Sequence, residues 1–98
     1  MTFEIRKNAK ETTIELAGRL DTTTAPDLDK TINEDIADAE NLVLDFKKLE
    51  YISSAGLRVL LSAQKKMQKL GTMTVTNVCE DVMEVFEMTG FSDILTIR

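Results

Sequence analysis

Leu42-Val43-Leu44 is a continuously apolar run between Asn41 and Asp45, and it decides the fold. A run without polar alternation is typical of a strand that is covered on both faces, at the centre of a sheet with crossover helices. Lys47-Lys48-Leu49-Glu50 then indicates a connection, after which Tyr51-Ile52 returns the chain to the core. We therefore expect a sheet with this strand in its middle and helices packed around it.

A helix is predicted on each side of this strand. Upstream, Thr22-Thr23-Thr24-Ala25-Pro26-Asp27 combines hydroxyl caps, an early proline and an acidic residue, as helix starts often do. Downstream, Ser53-Ser54-Ala55-Gly56 opens a second helix, and Gly71 is placed to end it. The first helix is expected to close near residue 39, and its apolar residues recur at spacings of four on one face: Leu28, Ile32 and Ile36.

The flanking segments predict further strands and a third helix. Alternation of apolar and polar residues predicts a half-buried N-terminal hairpin from Phe3–Ile5 and Ile14–Leu16, and a later strand at Met73–Val75. The third helix is predicted over Val82–Gly90, and a short edge strand over Ile94–Ile97.

The resulting order is strand–strand–helix–strand–helix–strand–helix–strand. Strands separated by single helices imply parallel pairing through right-handed crossovers, with the N-terminal hairpin as the antiparallel exception. We therefore predict an α/β fold with a mixed sheet, in one domain over residues 1–98.

The composition of the chain argues against several classes of function. The chain has 98 residues and a net charge of −5, which repels nucleic-acid phosphates, so we expect no nucleic-acid partner. The sequence contains no histidine, which removes the commonest general base and the commonest metal ligand. Cys79, the one cysteine, is expected to be a packed thiol. These features predict that the protein is not an enzyme and carries no metal or cofactor.

The predicted location is the cytoplasm, without membrane contact. The N-terminal residues lack the basic start and apolar run of a signal peptide. The longest apolar stretches are also far shorter than a membrane span.

Ser53-Ser54-Ala55-Gly56 is the segment where chemistry is expected. At a helix start the first backbone N–H groups lack intrahelical partners and the helix dipole is positive, so a phosphate on a cap serine would lie near donors. Gly56 is expected to leave the first turn open to an approaching protein. Serine is also a favoured N-cap in any protein, and from the residues alone a plain cap is the simpler interpretation of Ser54.

The chain resembles STAS domains of the anti-sigma factor antagonist family. Four segments match the family's motifs in order along the chain: Gly18-Arg19-Leu20-Asp21, Leu42-Val43-Leu44-Asp45-Phe46, Tyr51-Ile52-Ser53-Ser54-Ala55-Gly56-Leu57-Arg58-Val59-Leu60-Leu61 and Phe86-Glu87-Met88-Thr89-Gly90-Phe91. The resemblance implies a STAS-like mixed sheet and a bacterial signalling protein that regulates transcription by switching partners.

The resemblance also implies how such a protein is switched. The unphosphorylated antagonist binds a serine-kinase anti-sigma factor and thereby releases the sigma factor. The kinase uses ATP to phosphorylate a serine at the start of the second helix, which ends binding. A metal-dependent serine phosphatase removes the phosphate.

The modified serine is expected at Ser54. The family's segment usually reads Asp-Ser-Ser-Gly or Asp-Ser-Thr-Gly, and alignment on Gly56 places the serine that follows the aspartate at Ser54. Ser53 then occupies the aspartate position and is the second candidate, while Ala55 replaces the second hydroxyl residue. These two departures leave open a constitutive binder that is never phosphorylated.

A partner-binding surface is expected around this serine. The resemblance implies that it consists of Asp21, Thr22, Ser53, Ser54, Ala55, Gly56 and Arg58. Asp21 is equally well interpreted as a turn aspartate that caps the first helix. Asp45 is expected to be structural.

Two other classes of function compete with this interpretation of the sequence. A hydrolase would use Ser53 or Ser54 as its nucleophile, but the sequence offers no evident activator. A STAS module could instead scaffold a signalling assembly that is not linked to a sigma factor.

Overall fold

A computed structural model describes residues 1–35 and 39–98, except for the side chain of residue 35. The predicted end of the first helix and its apolar residue Ile36 lie outside the described residues. The elements in chain order are β1 (Thr2–Asn8), β2 (Glu11–Leu20), α1 (Ala25–Asp35), β3 (Asn41–Ile52), α2 (Ser54–Leu70), β4 (Thr72–Thr76), α3 (Glu80–Thr89), a 3₁₀ turn (Phe91–Asp93) and β5 (Thr96–Ile97).

The sheet has five strands in the order β1-β2-β3-β4-β5. β1 pairs with β2 antiparallel, and every later neighbour is parallel. The predicted mixed α/β sheet is therefore confirmed.

The expectation that the central strand is covered on both faces is wrong. Because the strand order runs in one direction, crossovers of a single hand would all pass over the same face. The burial pattern agrees, since Leu42 and Leu44 are fully buried while Val43, between them, is only half-buried. The helices thus cover one face of the sheet, and the other face is left partly open.

β3 is much longer than predicted, because the segment 47–50 is strand and not a connection. The register of β2 against β3 shifts twice, so that β3 gains one residue at each irregularity. An extra residue changes the spacing of core-facing residues from two to three. The buried residues of β3 follow this pattern: Leu42, Leu44, Phe46, Leu49 and Ile52.

The described helix boundaries lie close to their expected positions, apart from the end of the first helix, which falls outside the described residues. Leu28 and Ile32 of α1 are buried in the same apolar cluster as Leu60 and Met67 of α2. At Gly71, which follows α2, a Cβ atom would lie 1.8 Å from the carbonyl oxygen of residue 40. Only glycine therefore allows β4 to begin directly beside the start of β3.

The outer strands differ most from prediction. β1 was expected to be half-buried, but Ile5 remains 41% exposed and only Phe3 packs against the core. The last strand is limited to Thr96–Ile97, because Phe91–Asp93 forms a 3₁₀ turn before it.

Candidate functional site

The ends of β2 and β3 bring the predicted site together at one edge of the sheet. Leu20 and Ile52 are paired in the parallel ladder, and the Ser53 N–H donates to the Leu20 carbonyl at 2.8 Å. The residues that follow these strands, Asp21 and Ser54, therefore lie at the same edge. The resemblance implies that both of them belong to a partner-binding surface, and the fold brings them to the same end of two paired strands.

The cap of α2 is Ser53, not Ser54 as expected. Ser53 has extended backbone angles (φ −104°, ψ 177°), and α2 begins at Ser54. The first helical hydrogen bond of the turn runs from the Leu57 N–H to the Ser53 carbonyl, at 3.0 Å. Ser54 is therefore the first helical residue, in the turn whose leading backbone N–H groups lack intrahelical partners, and it is exposed.

The two serines have very different surroundings. The hydroxyl oxygen of Ser53 is buried, makes no capping hydrogen bond and has no hydrogen-bond partner among the described residues. Ser54 is exposed on the first turn of α2. Of the two candidates, only Ser54 presents its hydroxyl group to a second protein.

Gly56 has a packing role and does not leave the helix start open. It is buried, and a Cβ atom there would lie 2.7 Å from Leu20 Cγ and 2.9 Å from Ile52 Cγ1. The absence of a side chain lets the first turn of α2 rest directly on the ends of β2 and β3. Ala55 is also partly buried against the core, which leaves Ser54 and Arg58 as the exposed residues of this turn and the next.

Asp21 organises the turn between β2 and α1. Its carboxylate accepts hydrogen bonds from the Thr23 N–H at 3.0 Å and the Thr24 N–H at 3.1 Å. The Thr24 backbone hydrogen bond is the main reason that the pKa of Asp21 lies below its ordinary value of 3.8. This geometry supports the structural interpretation of Asp21, while Thr22 beside it is fully available at the surface.

The Asp21 turn predicts an acid-dependent stability effect. Because the pKa of Asp21 is lower in the folded state, its ionised carboxylate stabilises the fold above about pH 3.8, and this contribution is lost as the pH falls further. Asp21→Ala should lower the melting temperature at pH 7. The difference in melting temperature from wild type should shrink as the pH falls below about 3.8. Calorimetry across pH 2–7 tests this. Thr22→Ala serves as the loop control, and an equal or pH-independent loss in both variants would contradict the assignment.

Arg19 and Tyr51 form a feature of this edge that sequence reasoning missed. The guanidinium carbon of Arg19 lies 4.1 Å from the centre of the Tyr51 ring, and the ring is 40% exposed instead of returning to the core as predicted. The two residues are paired across β2 and β3. Tyrosine and arginine are enriched in protein interfaces relative to the rest of the surface. The sequence does indicate this surface, because Tyr51 lies just before Ser53-Ser54.

The structure also tests the expectations for Asp45 and Cys79. Asp45 accepts hydrogen bonds from the Lys47 N–H at 3.0 Å and from Asn77 Nδ2 at 3.1 Å, as expected of a structural carboxylate. Cys79 is exposed at the start of α3, so the prediction of a packed thiol is wrong.

The described part of the chain offers no cluster of three or more histidine, cysteine, aspartate or glutamate side chains that could hold a metal ion. In residues 1–35 and 39–98, no helix is long and apolar enough to cross a membrane.

Anti-sigma factor antagonists are among the known proteins that this chain resembles in sequence. The anti-sigma-B factor antagonist of Bacillus subtilis is 26% identical over 98 residues, which cover 99% of this chain and 90% of that protein. A Bordetella bronchiseptica protein named as an anti-sigma factor antagonist, BtrV, is 42% identical over 57 residues. That shorter match covers 57% of this chain and about half of BtrV, 49% of its length.

Solved structures share the fold. An anti-sigma factor antagonist from Mycobacterium paratuberculosis superposes with a TM-score of 0.89 at 24% identity, over 98% of this chain and 83% of that one. The Bacillus cell fate determinant SpoIIAA, in its phosphorylated form, superposes with a TM-score of 0.77 at 18% identity, over 99% of this chain and 91% of that one. The family model of the STAS domain matches residues 2–98, and the chain therefore belongs to the STAS domain family.

Proposed function

We propose that this protein is an anti-sigma factor antagonist that acts in the cytoplasm as a phosphorylation-controlled partner switch. In its unphosphorylated form it binds a serine-kinase anti-sigma factor, and the sigma factor is released. Phosphorylation of Ser54 by that kinase ends binding, and a metal-dependent serine phosphatase restores the binding form. The protein performs no catalysis in this cycle.

The exposure of Ser54 is the observation that carries the proposal. A kinase must reach the serine hydroxyl group, and Ser54 is exposed where β3 ends and α2 begins. Ser53 is a poor substrate by the same criterion, because its hydroxyl oxygen is buried. Access therefore favours Ser54 over Ser53, in agreement with the family alignment.

Electrostatics explains how one phosphate group would end binding. Phosphorylation adds a charge of about −1.5 to −2 and three acceptor oxygens. At Ser54 this charge would add to that of the Asp21 carboxylate, which follows the neighbouring strand and accepts hydrogen bonds from the Thr23 and Thr24 N–H groups. A partner that covers this edge would have to desolvate the phosphate, which is costly without a matched cationic group.

The surface that surrounds Ser54 suits a protein partner. Arg58 lies one helical turn beyond Ser54 on the same side of α2 and is exposed. Thr22 is exposed on the neighbouring loop, and the Arg19–Tyr51 pair extends the surface along the strand ends. We propose that these residues form the rim of the docking surface, with Ser54 near its centre.

The relatives support this role. The Bacillus subtilis relative, which aligns along nearly the whole chain, is named for antagonism of an anti-sigma factor. SpoIIAA, which shares the fold, has been solved with its phosphate attached. Ser53 and Ala55 depart from the usual motif, but both are partly buried, so neither presents a full side chain to a partner.

A pull-down with the serine-kinase anti-sigma factor of the same organism tests the proposal. The proposed switch predicts a stable complex with ADP, release of the wild-type chain with ATP, and retention of the Ser54→Ala variant with ATP. A complex that ATP does not dissolve would favour a constitutive scaffold instead. Absence of a complex with ADP would exclude the sigma-factor role.

A further inference from the structure

β1 is the longer of the two edge strands of the sheet. It begins the strand order, spans seven residues and pairs with β2 without a register shift. The opposite edge, β5, has only two residues. Short strands, bulges, prolines and charged side chains protect natural sheet edges from further pairing; β1 has none of the first three, and its charged residues are Glu4, Arg6 and Lys7.

The backbone N–H and C=O groups of Ile5 point away from the sheet. The Lys10 carbonyl accepts the N–H of Glu40 at 2.7 Å and therefore points towards β3. The N–H and C=O groups of successive residues in a strand point to alternate sides. Those of the even-numbered residues of β2 therefore point to β3, and those of the odd-numbered residues point to β1. Glu4 and Arg6 lie opposite odd-numbered residues and bond to β2. The N–H and C=O groups of Ile5, between them, point to the open edge.

We propose that β1 pairs antiparallel with β1 of a second copy of this chain, about a two-fold axis through Ile5. In that register the two Ile5 residues form a hydrogen-bonded pair, and Glu4 lies opposite Arg6 of the second copy. Two-fold symmetry repeats this contact, so one interface contains two Glu4–Arg6 pairs. These are non-hydrogen-bonded positions, where opposed side chains come closest.

The side chains fit this register on both faces. Ile5 is 41% exposed, and Ile5 of the second copy would cover it. The two isoleucine side chains would lie beside Phe3, which packs against the core. Glu4 and Arg6 are well exposed on the other face, with their own side chains 3.8 Å apart. Arg6 also lies 3.6 Å from Glu15, which anchors it at the strand edge. Centring the axis on Glu4 or on Arg6 would place like charges opposite each other at the axis, whereas the register centred on Ile5 places opposite charges opposite each other.

The contact is small, so the dimer is expected to be weak and concentration-dependent. The proposal uses the edge at β1 and does not depend on the role of Ser54. It therefore stands or falls separately from the proposed function.

Sedimentation velocity over about a hundredfold range of concentration tests the dimer with a charge swap. The wild-type chain should dimerise. Glu4→Arg and Arg6→Glu should each weaken the dimer at least about tenfold, because both pairs become repulsive. The double variant Glu4→Arg/Arg6→Glu should recover dimerisation, since opposite charges again face each other. A monomeric wild type, or a dimer that ignores these changes, would overturn the proposal.

Disulfide trapping tests the position of the axis independently of charge. In a Cys79→Ser background, Ile5→Cys should cross-link under mild oxidation, because opposed residues at the axis are about 5.5 Å apart at Cα, within disulfide range. Thr2→Cys is the control, since the two copies of that residue would lie about 20 Å apart. Cross-linking at residue 2 and not at residue 5 would contradict the register.

Discussion

Ser54→Asp should weaken binding to the serine-kinase anti-sigma factor by at least about a hundredfold, or about 2.7 kcal/mol. Ser54→Ala should bind about as tightly as the unmodified wild type and should remain bound in the presence of ATP. The reason is the position of the side chain: Ser54 is exposed where the strand ends meet. Desolvating a carboxylate at this position costs free energy when the partner docks, whereas desolvating a methyl group does not.

Calorimetry of both variants against the same partner measures this difference directly. Ser62→Asp is a suitable control, because it adds the same charge to α2 about 12 Å further along the helix. The control should change the affinity only slightly. Equal affinities of Ser54→Ala and Ser54→Asp, or an equal loss in Ser62→Asp, would show that residue 54 is not the switch.

Gly56→Val should destabilise the fold by about 3 kcal/mol, a large share of the 5–10 kcal/mol expected for a domain of this size. Even a single added Cβ atom would approach Leu20 Cγ to 2.7 Å and Ile52 Cγ1 to 2.9 Å. Both neighbours are buried core residues, so neither can move aside cheaply. The helix start would have to lift from the strand ends, taking Ser54 with it.

Urea unfolding compares this variant with Gln68→Val, which places the same side chain at an exposed position of α2. The control should lose only about 0.5 kcal/mol, the difference in helix propensity. If Gly56→Val were as stable as this control, the close contact between α2 and the strand ends would be wrong.

The fold could be predicted well where a single periodicity governs an element. Ile14 and Leu16 alternate regularly and are buried in β2, and Gly71 ends α2 as expected. Prediction failed in β3, because two irregularities change the spacing of its core-facing residues and segment 47–50 then resembles a loop. A one-residue irregularity depends on the neighbouring strand, which local sequence does not specify.

The site could be predicted in part, for a similar reason. The motif indicated Ser54, Ser53 and the neighbouring loop as the candidate site, but which of the two serines packs inward could not be predicted from it. Whether Ser53 or Ser54 is buried is decided by the hydrogen bond from Ser53 to the end of β2, a contact between distant parts of the chain. The role of Gly56 was misjudged because its neighbours, Leu20 and Ile52, are brought to it by the same tertiary contact.

The most direct test is to locate the phosphate by tandem mass spectrometry after incubation with the serine-kinase anti-sigma factor and ATP. A single phosphate group on Ser54, in a fraction of the chain that no longer binds the kinase, is the predicted result. Phosphate on Ser53, or phosphorylated chain that still binds, would contradict the account.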